Sequence, residues 1–372
     1  EMRLINCRIK GTIWEKTMVE INLDKCNKCG DCLDKETGCQ FLNYDRKRAI
    51  KEVTALIEGK DTDILKDCIT CQACNIFCDK GVKIFDFIVH RMSTEQTWCS
   101  HGKDMWESIP SLFKPYIYKK VGSAGAWLDL CPAEGLLSSP GDMGIRDMRF
   151  FKNLNIFGGL VCSVWRTHLG LENASSFEGK KAMEERIKWM YDITGGAKKI
   201  IFSHDECFGM IYQAEEAGID ISFEPIHLVQ YLCEYVKDHK REIKPLEFNI
   251  AHQNSCSTRY GPNRDGWLDE LYELIGCERV DRKFDRINQL CCGVPFTIFR
   301  RKDADKDRGV ASDMKRAAEA RKKNIADAKS HDATHLVCIC PVCMNFLHND
   351  AVAGGLKPIT LLNLVEMAFN KR

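Results

Sequence analysis

Two cysteine triplets, Cys26-x2-Cys29-x2-Cys32 and Cys68-x2-Cys71-x2-Cys74, constrain this chain more than any other feature, and each is trailed by a further cysteine, Cys39 and Cys78. Cysteine makes up 21 of the 372 residues, and two uses of so many thiols compete. Small secreted domains use them as disulfide staples because their cores are too small to hold a fold. This chain is long enough for two or three domains with sizeable cores. Its opening residues show no basic stretch followed by an apolar one, so no secretory signal is expected. Thiols clustered at CxxC spacing in such a chain are read as metal ligands. Zinc prefers four ligands in two separated pairs and has no use for a triplet repeated twice.

A four-iron cubane cluster takes one thiolate per iron. A CxxCxxC loop supplies three, and where two clusters share a domain the last cysteine of each run ligates the other cluster. One cluster is then expected on Cys26, Cys29, Cys32 and Cys78, and a second on Cys68, Cys71, Cys74 and Cys39. Two details depart from the usual run. Six residues separate Cys32 from Cys39, and Gln40 and Asp79 stand where proline usually follows the last cysteine.

The remaining cysteines divide the chain further. Residues 1–125 hold ten, 126–245 hold four well spread, and 246–372 hold seven in a different rhythm. A glycine-containing stretch, Val121–Ala126, is a natural connector. Beyond it, short apolar runs alternate with amphipathic segments. Strands are expected at 198–204, 219–225, 248–252 and 334–339. Helices are expected at 208–217, 228–239, 267–275, 304–330 and 361–370. This βα rhythm predicts parallel sheets flanked by helices, with ligands at the carboxyl ends of strands.

The last third carries Cys256, then Cys291-Cys292-Gly293, then Cys340-x2-Cys343. Adjacent cysteines do not easily take two corners of an ordinary cubane, but they suit an opened or shared cluster, and Gly293 lets the backbone pass close to it. Cys340 follows the strand that ends at Ile339, with Pro341 after it and Cys343 at the start of a helix. This spacing, together with His252–Arg259 (HQNSCSTR), resembles the cysteine-rich CCG domain of heterodisulfide reductase catalytic subunits and related iron–sulfur subunits. The ferredoxin-like part ahead of it is similar to the D-type members of that family.

The resemblance spans nearly the whole chain. It implies a multidomain α+β and α/β protein: a mostly helical two-cluster ferredoxin-type domain over 1–125, then two pseudo-repeated α/β CCG domains, a degenerate copy over 126–245 and an intact one over 246–372. It further implies a non-cubane 4Fe–4S cluster on Cys256, Cys291, Cys292, Cys340 and Cys343, which would be the catalytic centre. In the first copy Cys131 matches Cys256, Val161-Cys162-Ser163 stands in place of Cys-Cys-Gly, and His204-x2-Cys207 stands in place of CxxC. Two readings of that copy stay open: a metal-free partner for packing, or an altered cluster on Cys131, Cys162, Cys207 and His204, since imidazole can replace thiolate on iron.

Cys7, Cys99, Cys233, Cys277 and Cys338 lack partners at ligand spacing and are expected to be ordinary packing thiols. His90 and His101 are expected at the surface, and Arg300–Lys329 as a solvated helix face. Net charge is +1, which gives no support for nucleic-acid or membrane-surface binding. No apolar run approaches the roughly 20 residues needed to span a bilayer. No phosphate loop and no dinucleotide fingerprint is present, so hydride chemistry would fall to partners. The expected function is single-electron transfer through the cubanes to the five-cysteine cluster, which would reduce a disulfide. The alternative is a relay between a flavin- or quinone-linked subunit and another oxidoreductase, as in 2-hydroxyacid oxidase iron–sulfur subunits. A scaffold with purely structural clusters is the third reading. Expected partners are a flavoprotein or a membrane quinone or cytochrome subunit, with the chain itself cytoplasmic.

Overall fold

The structure, a computed structural model, describes residues 21–95, 116–122, 125–130, 148–158, 177–261, 263–294 and 309–370. Cys7, Cys99, His101, Cys131 and Cys162 lie outside the described residues. Among the described residues no helix is long and apolar enough to cross a membrane.

The first part is built from α1 (Arg46–Ile57), α2 (Ile64–Asp67) and α3 (Ile84–Thr94), with the cysteine loops between and before them. Asp45 caps α1 by accepting from the Arg48 amide at 2.8 Å. Ala49, Val53 and Leu56 then fall on one face, at helical spacing. They meet Phe85, Phe87, Ile88 and Met92 of α3 in a buried core of their own. Arg91 is buried in α3 because its guanidinium caps the carbonyl of Leu56 at 2.7 Å and that of Lys60 at 3.1 Å.

Two sheets follow. The first comprises β1 (Tyr116–Lys119), β2 (Trp127–Leu130), β3 (Asn155–Gly158), β4 (Lys199–Phe202) and β5 (Glu224–His227), in the order β1-β3-β2-β4-β5. Only β1 is antiparallel; the others run parallel. Its helices are α4 (Phe177–Thr194), α5 (Asp205–Glu216) and α6 (Leu228–Asp238). The second sheet comprises β6 (Phe248–Gln253), β7 (Cys277–Arg279), β8 (His335–Cys338) and β9 (Lys357–Thr360), all parallel, in the order β7-β6-β8-β9. Its helices are α7 (Asp265–Leu274), α8 (Gly309–Ser330), α9 (Pro341–Ala353) and α10 (Leu361–Asn370). Leaving β1 aside, the two sheets share one strand order: second, first, third, fourth. The apolar alternation explains why both faces of the first sheet are covered. Ile200 and Phe202 point into one core while Ile201 points into the other.

Several boundaries differ from the sequence expectation. The strand expected at 219–225 begins only at Glu224. Helix α5 ends on Gly218, and the Ile219 amide reaches back to Ala214, so the residues just after it close the helix before any strand can form. Pro225 is tolerated because β5 is an edge strand. The helix expected at 208–217 starts earlier, at Asp205. Strand β1 lies ahead of residue 125 yet hydrogen-bonds within the first sheet.

The parts are packed together by buried polar ties. Tyr260 of the second unit sets its ring at a tilt to that of Phe85, 6.1 Å between centroids, and donates to Asp86 at 3.2 Å. Arg316 of α8 donates to the carbonyls of Phe41 and Asp67 in the first part. Behind the second sheet, Arg282 donates to the His252 carbonyl at 2.8 Å and to Asn324 Oδ1 at 2.7 Å, with Asp327 at 3.6 Å. Replacing Arg282 by Met strands these acceptors and leaves the Asp327 carboxylate with the Phe284 amide but without its cation. A loss of about 3 kcal/mol is expected, read as a lower midpoint of urea denaturation; an unchanged midpoint would mean that the network does not hold the sheet.

Candidate metal centres

The two triplet loops share a backbone conformation. Lys28 and Gly30 in the first have φ of 58° and 81°, and Thr70 and Gln72 at the matching places in the second have 59° and 68°. A left-handed residue other than glycine costs about 1–2 kcal/mol, and the chain bears that cost at Lys28, Thr70 and Gln72. The two loops are thus held curled around their middle cysteines by more than local preference. Cys32 is pushed well up by burial, and its neighbours Cys78, Cys26 and Cys29 push it further. Cys26 is also raised by burial, with Cys78 beside it. Burial pushes Cys39 up to about 12, with Cys71 and Cys68 adjacent. Cys74 is raised by burial and then by Cys68, Cys32, Cys71 and Cys39. The structure therefore brings Cys26, Cys29 and Cys32 together with Cys78, and Cys68, Cys71 and Cys74 together with Cys39.

The six residues between Cys32 and Cys39 form a turn of their own. Asp34 accepts from the Glu36 amide at 2.8 Å and from Thr37 at 3.3 Å, and its carbonyl accepts from the Gly38 amide at 2.8 Å. A Cβ on Gly38 would lie 2.2 Å from the Asp31 carbonyl oxygen, so only glycine lets the turn close. The excursion returns Cys39 to the second group.

The third group gathers cysteines from three strand-end loops. Cys256 opens a 3-10 turn just past β6. Cys340 caps the N-terminus of α9 just past β8, with Pro341 at the first helical position, and Cys343 lies in that first turn. Cys256 Sγ lies 3.6 Å from Cys291 Sγ. Cys291 contacts Cys292, Cys292 contacts Cys343, and Cys343 contacts Cys340 through their thiols. Adjacent Cys291 and Cys292 both reach the group because Gly293, at φ 92°, turns the chain there and its amide donates to Cys291 Sγ at 3.4 Å. A Cβ on Gly293 would meet Ala317 of α8 at 2.8 Å. Two glutamines set the loop: Gln253 donates to the Leu290 carbonyl at 3.0 Å and Gln289 to the Ser255 carbonyl at 2.7 Å. Hydrogen bonds from Cys291 and Cys343 lower Cys292 to about 6. Cys340 is held well below the ordinary thiol range by Cys343 and by His204. Cys338, Cys277 and Cys233 are buried outside this group.

The second group neighbours both others: Cys74 lies within electrostatic reach of Cys32 of the first, and Cys71 within reach of Cys256 of the third. Arg259 fastens the last pair: its guanidinium donates to the Cys71 carbonyl at 2.8 Å and to the Gln289 carbonyl at 2.7 Å.

Of the first copy's candidate ligands, Cys207 is buried in α5 beside Asp129, whose carboxyl is pushed up to about 7 by burial against the pull of Arg186. His204 faces the third group, with Nε2 3.3 Å from Cys340 Sγ and Nδ1 paired with Glu206. Burial alone would lower its pKa, but Glu206 and Cys340 hold it well above the usual range. His204, Glu206 and Cys340 together offer three buried ligand atoms. Glu206 carried no sequence signal beyond sitting between His204 and Cys207.

No protein-family model matches the chain, and no curated protein matches it. Among solved structures it is similar to the crystal structure of glutamate racemase isoform RacE1 from Bacillus anthracis, at 10% identity over 68% of this chain and 80% of that one, with a TM-score of 0.31. A likeness at that level carries no functional argument.

The donor sets fit iron–sulfur clusters. No described cysteine forms a disulfide. Around Cys256 the buried hydroxyls of Ser255, Ser257 and Thr258 have no hydrogen-bond partner, as expected where sulfide acceptors belong. Cys78→Ala and Cys26→Ala should each remove the same cluster, and Cys39→Ala and Cys68→Ala the other. Iron should fall by about four per chain in each case, with one of two distinct electron paramagnetic resonance (EPR) signals lost. Loss of the Cys68-type signal from Cys78→Ala would overturn the grouping.

Proposed function

We propose that the chain is an iron–sulfur electron-transfer subunit of a heterodisulfide reductase-like complex, delivering electrons to a five-cysteine centre that reduces a disulfide. One observation carries this reading: Cys256, Cys291, Cys292, Cys340 and Cys343, remote in sequence, join in one buried group whose edge lies against the second of two four-cysteine groups. Two cubane clusters and one non-cubane cluster supply, when bound, one-electron steps and an open place for sulfur.

The residues then divide the work. Cys26, Cys29 and Cys78 are only half-buried, so the first group is the one a donor protein meets. Cys71 and Cys74 are buried, and they link it inward. Arg259 holds the second and third groups in fixed register through the Cys71 and Gln289 carbonyls. Cleaving a disulfide to two thiols takes two electrons and two protons. The electrons arrive singly, so the third group must retain sulfur between the two deliveries. Cys256 is its least buried member and marks the side open to such a substrate. The donor in this reading is a flavoprotein, or a quinone- or cytochrome-bearing membrane subunit, and the chain itself works in the cytoplasm.

The near-complete burial of Cys291, Cys292, Cys340 and Cys343, each 3–4% exposed, favours a second reading in which electrons only pass through to another oxidoreductase. Anaerobic protein is expected to carry about twelve irons per chain in three four-iron clusters. Reduced protein should be reoxidised by a small disulfide with release of two thiols. Cys292→Ala should abolish this while both cubane signals persist. Reoxidation only by a partner flavoprotein supports the relay, and thiol release surviving Cys292→Ala removes the third group from catalysis.

A further inference from the structure

His204 and Cys340 hold equivalent places in the two sheets. Each caps the helix that follows the third strand of its shared order, α5 after β4 and α9 after β8. The residue standing where the first unit would carry a ligand cysteine thus reaches across to a cysteine of the second unit. The approach is built rather than incidental. Asp205, the first residue of α5, accepts from Arg264 Nε at 3.1 Å and from His227 Nε2 at 2.9 Å, all three side chains being almost wholly buried. His227 Nδ1 accepts from the Val229 amide, which leaves its Nε2 as the donor to Asp205. Further along, α5 comes so close to the Cys256 turn that a Cβ on Gly209 would lie 3.3 Å from the Ser257 carbonyl. These ties fix the start of α5, and with it the imidazole, against the third cysteine group.

The ring lies between two groups that are anions when ionised. Glu206 lies on Nδ1, and the Cys340 sulfur lies 3.3 Å from Nε2. A metal-bound thiolate has no hydrogen to give, so at the 3.3 Å approach Nε2 is the donor. We propose that His204 donates an Nε2–H hydrogen bond to the Cys340 sulfur and thereby raises the reduction potential of the cluster held by the five cysteines. The inference rests on that cluster being bound there. A one-electron reduction adds negative charge that is shared by the ligand sulfurs. A donor fixed at the sulfur stabilises the reduced form more than the oxidised one, as hydrogen bonds to cluster sulfurs do in general. Glu206 positions the ring, and His204 acts through Cys340, as a positioning residue rather than a ligand.

The test compares wild type with His204→Leu and His204→Gln by EPR-monitored redox titration of the anaerobic full chain. Leu is expected to shift the third signal to lower potential by about a tenfold change in its oxidised-to-reduced ratio, which is about 59 mV for one electron. Both cubane potentials should stay in place and serve as internal evidence of folding. Gln, whose amide can donate from the same position, should recover most of the shift. An unchanged third potential in His204→Leu overturns the inference. So does a strong nitrogen hyperfine coupling to labelled histidine in wild type, which would make His204 a ligand. Absence of any third signal from wild type is a different failure: it removes the five-cysteine cluster itself, and the proposed function with it.

Discussion

Thiols crowded into a poorly solvated interior resist ionisation, and the rest of this molecule is organised around that difficulty. Burial raises Cys32, Cys39 and Cys74, and each is raised again by the sulfurs beside it. A bound cation reverses that balance, because it stabilises the thiolate outright. The local conformations make sense in the same terms. The triplet loops accept left-handed backbone at Lys28, Thr70 and Gln72, and buried hydroxyls near Cys256 stay unpaired.

The connections between parts are polar and aimed at backbone. Arg259 and Arg316 both cross from the second α/β unit to carbonyls in the cysteine loops: Arg259 to Cys71, Arg316 to Phe41 and Asp67. A guanidinium that bridges carbonyls from two loops sets their spacing without adding a ligand of its own.

Much of this was legible in the sequence, for a physical reason. Cysteine spacing is a local property and is read directly from the chain. Alternating apolar runs at 248–252 and 334–339 likewise announced β6 and β8 nearly to the residue. Strand β5 was misplaced because Ile219, Ile221 and Phe223 look like a strand but pack as a loop against the first sheet's core after Gly218 closes α5. Strand β1 was missed because its exposed residues, Tyr116, Ile117 and Tyr118, give no alternation to read. The side of the structure that His204 faces was beyond any local pattern. A histidine two residues ahead of Glu206 and three ahead of Cys207 suggests a site of its own, and only the packing of α5 against the Cys256 turn reveals that it also meets Cys340.

The matched strand order of the two sheets has a mechanical consequence. His204 and Cys340 follow corresponding strands and meet, so a change at the strand ends of one sheet is presented to the other. Helix α5 therefore answers to two cores at once. A substitution at Asp205, His227 or Arg264, which fix its first turn, would be felt at Cys340 across the boundary between the sheets.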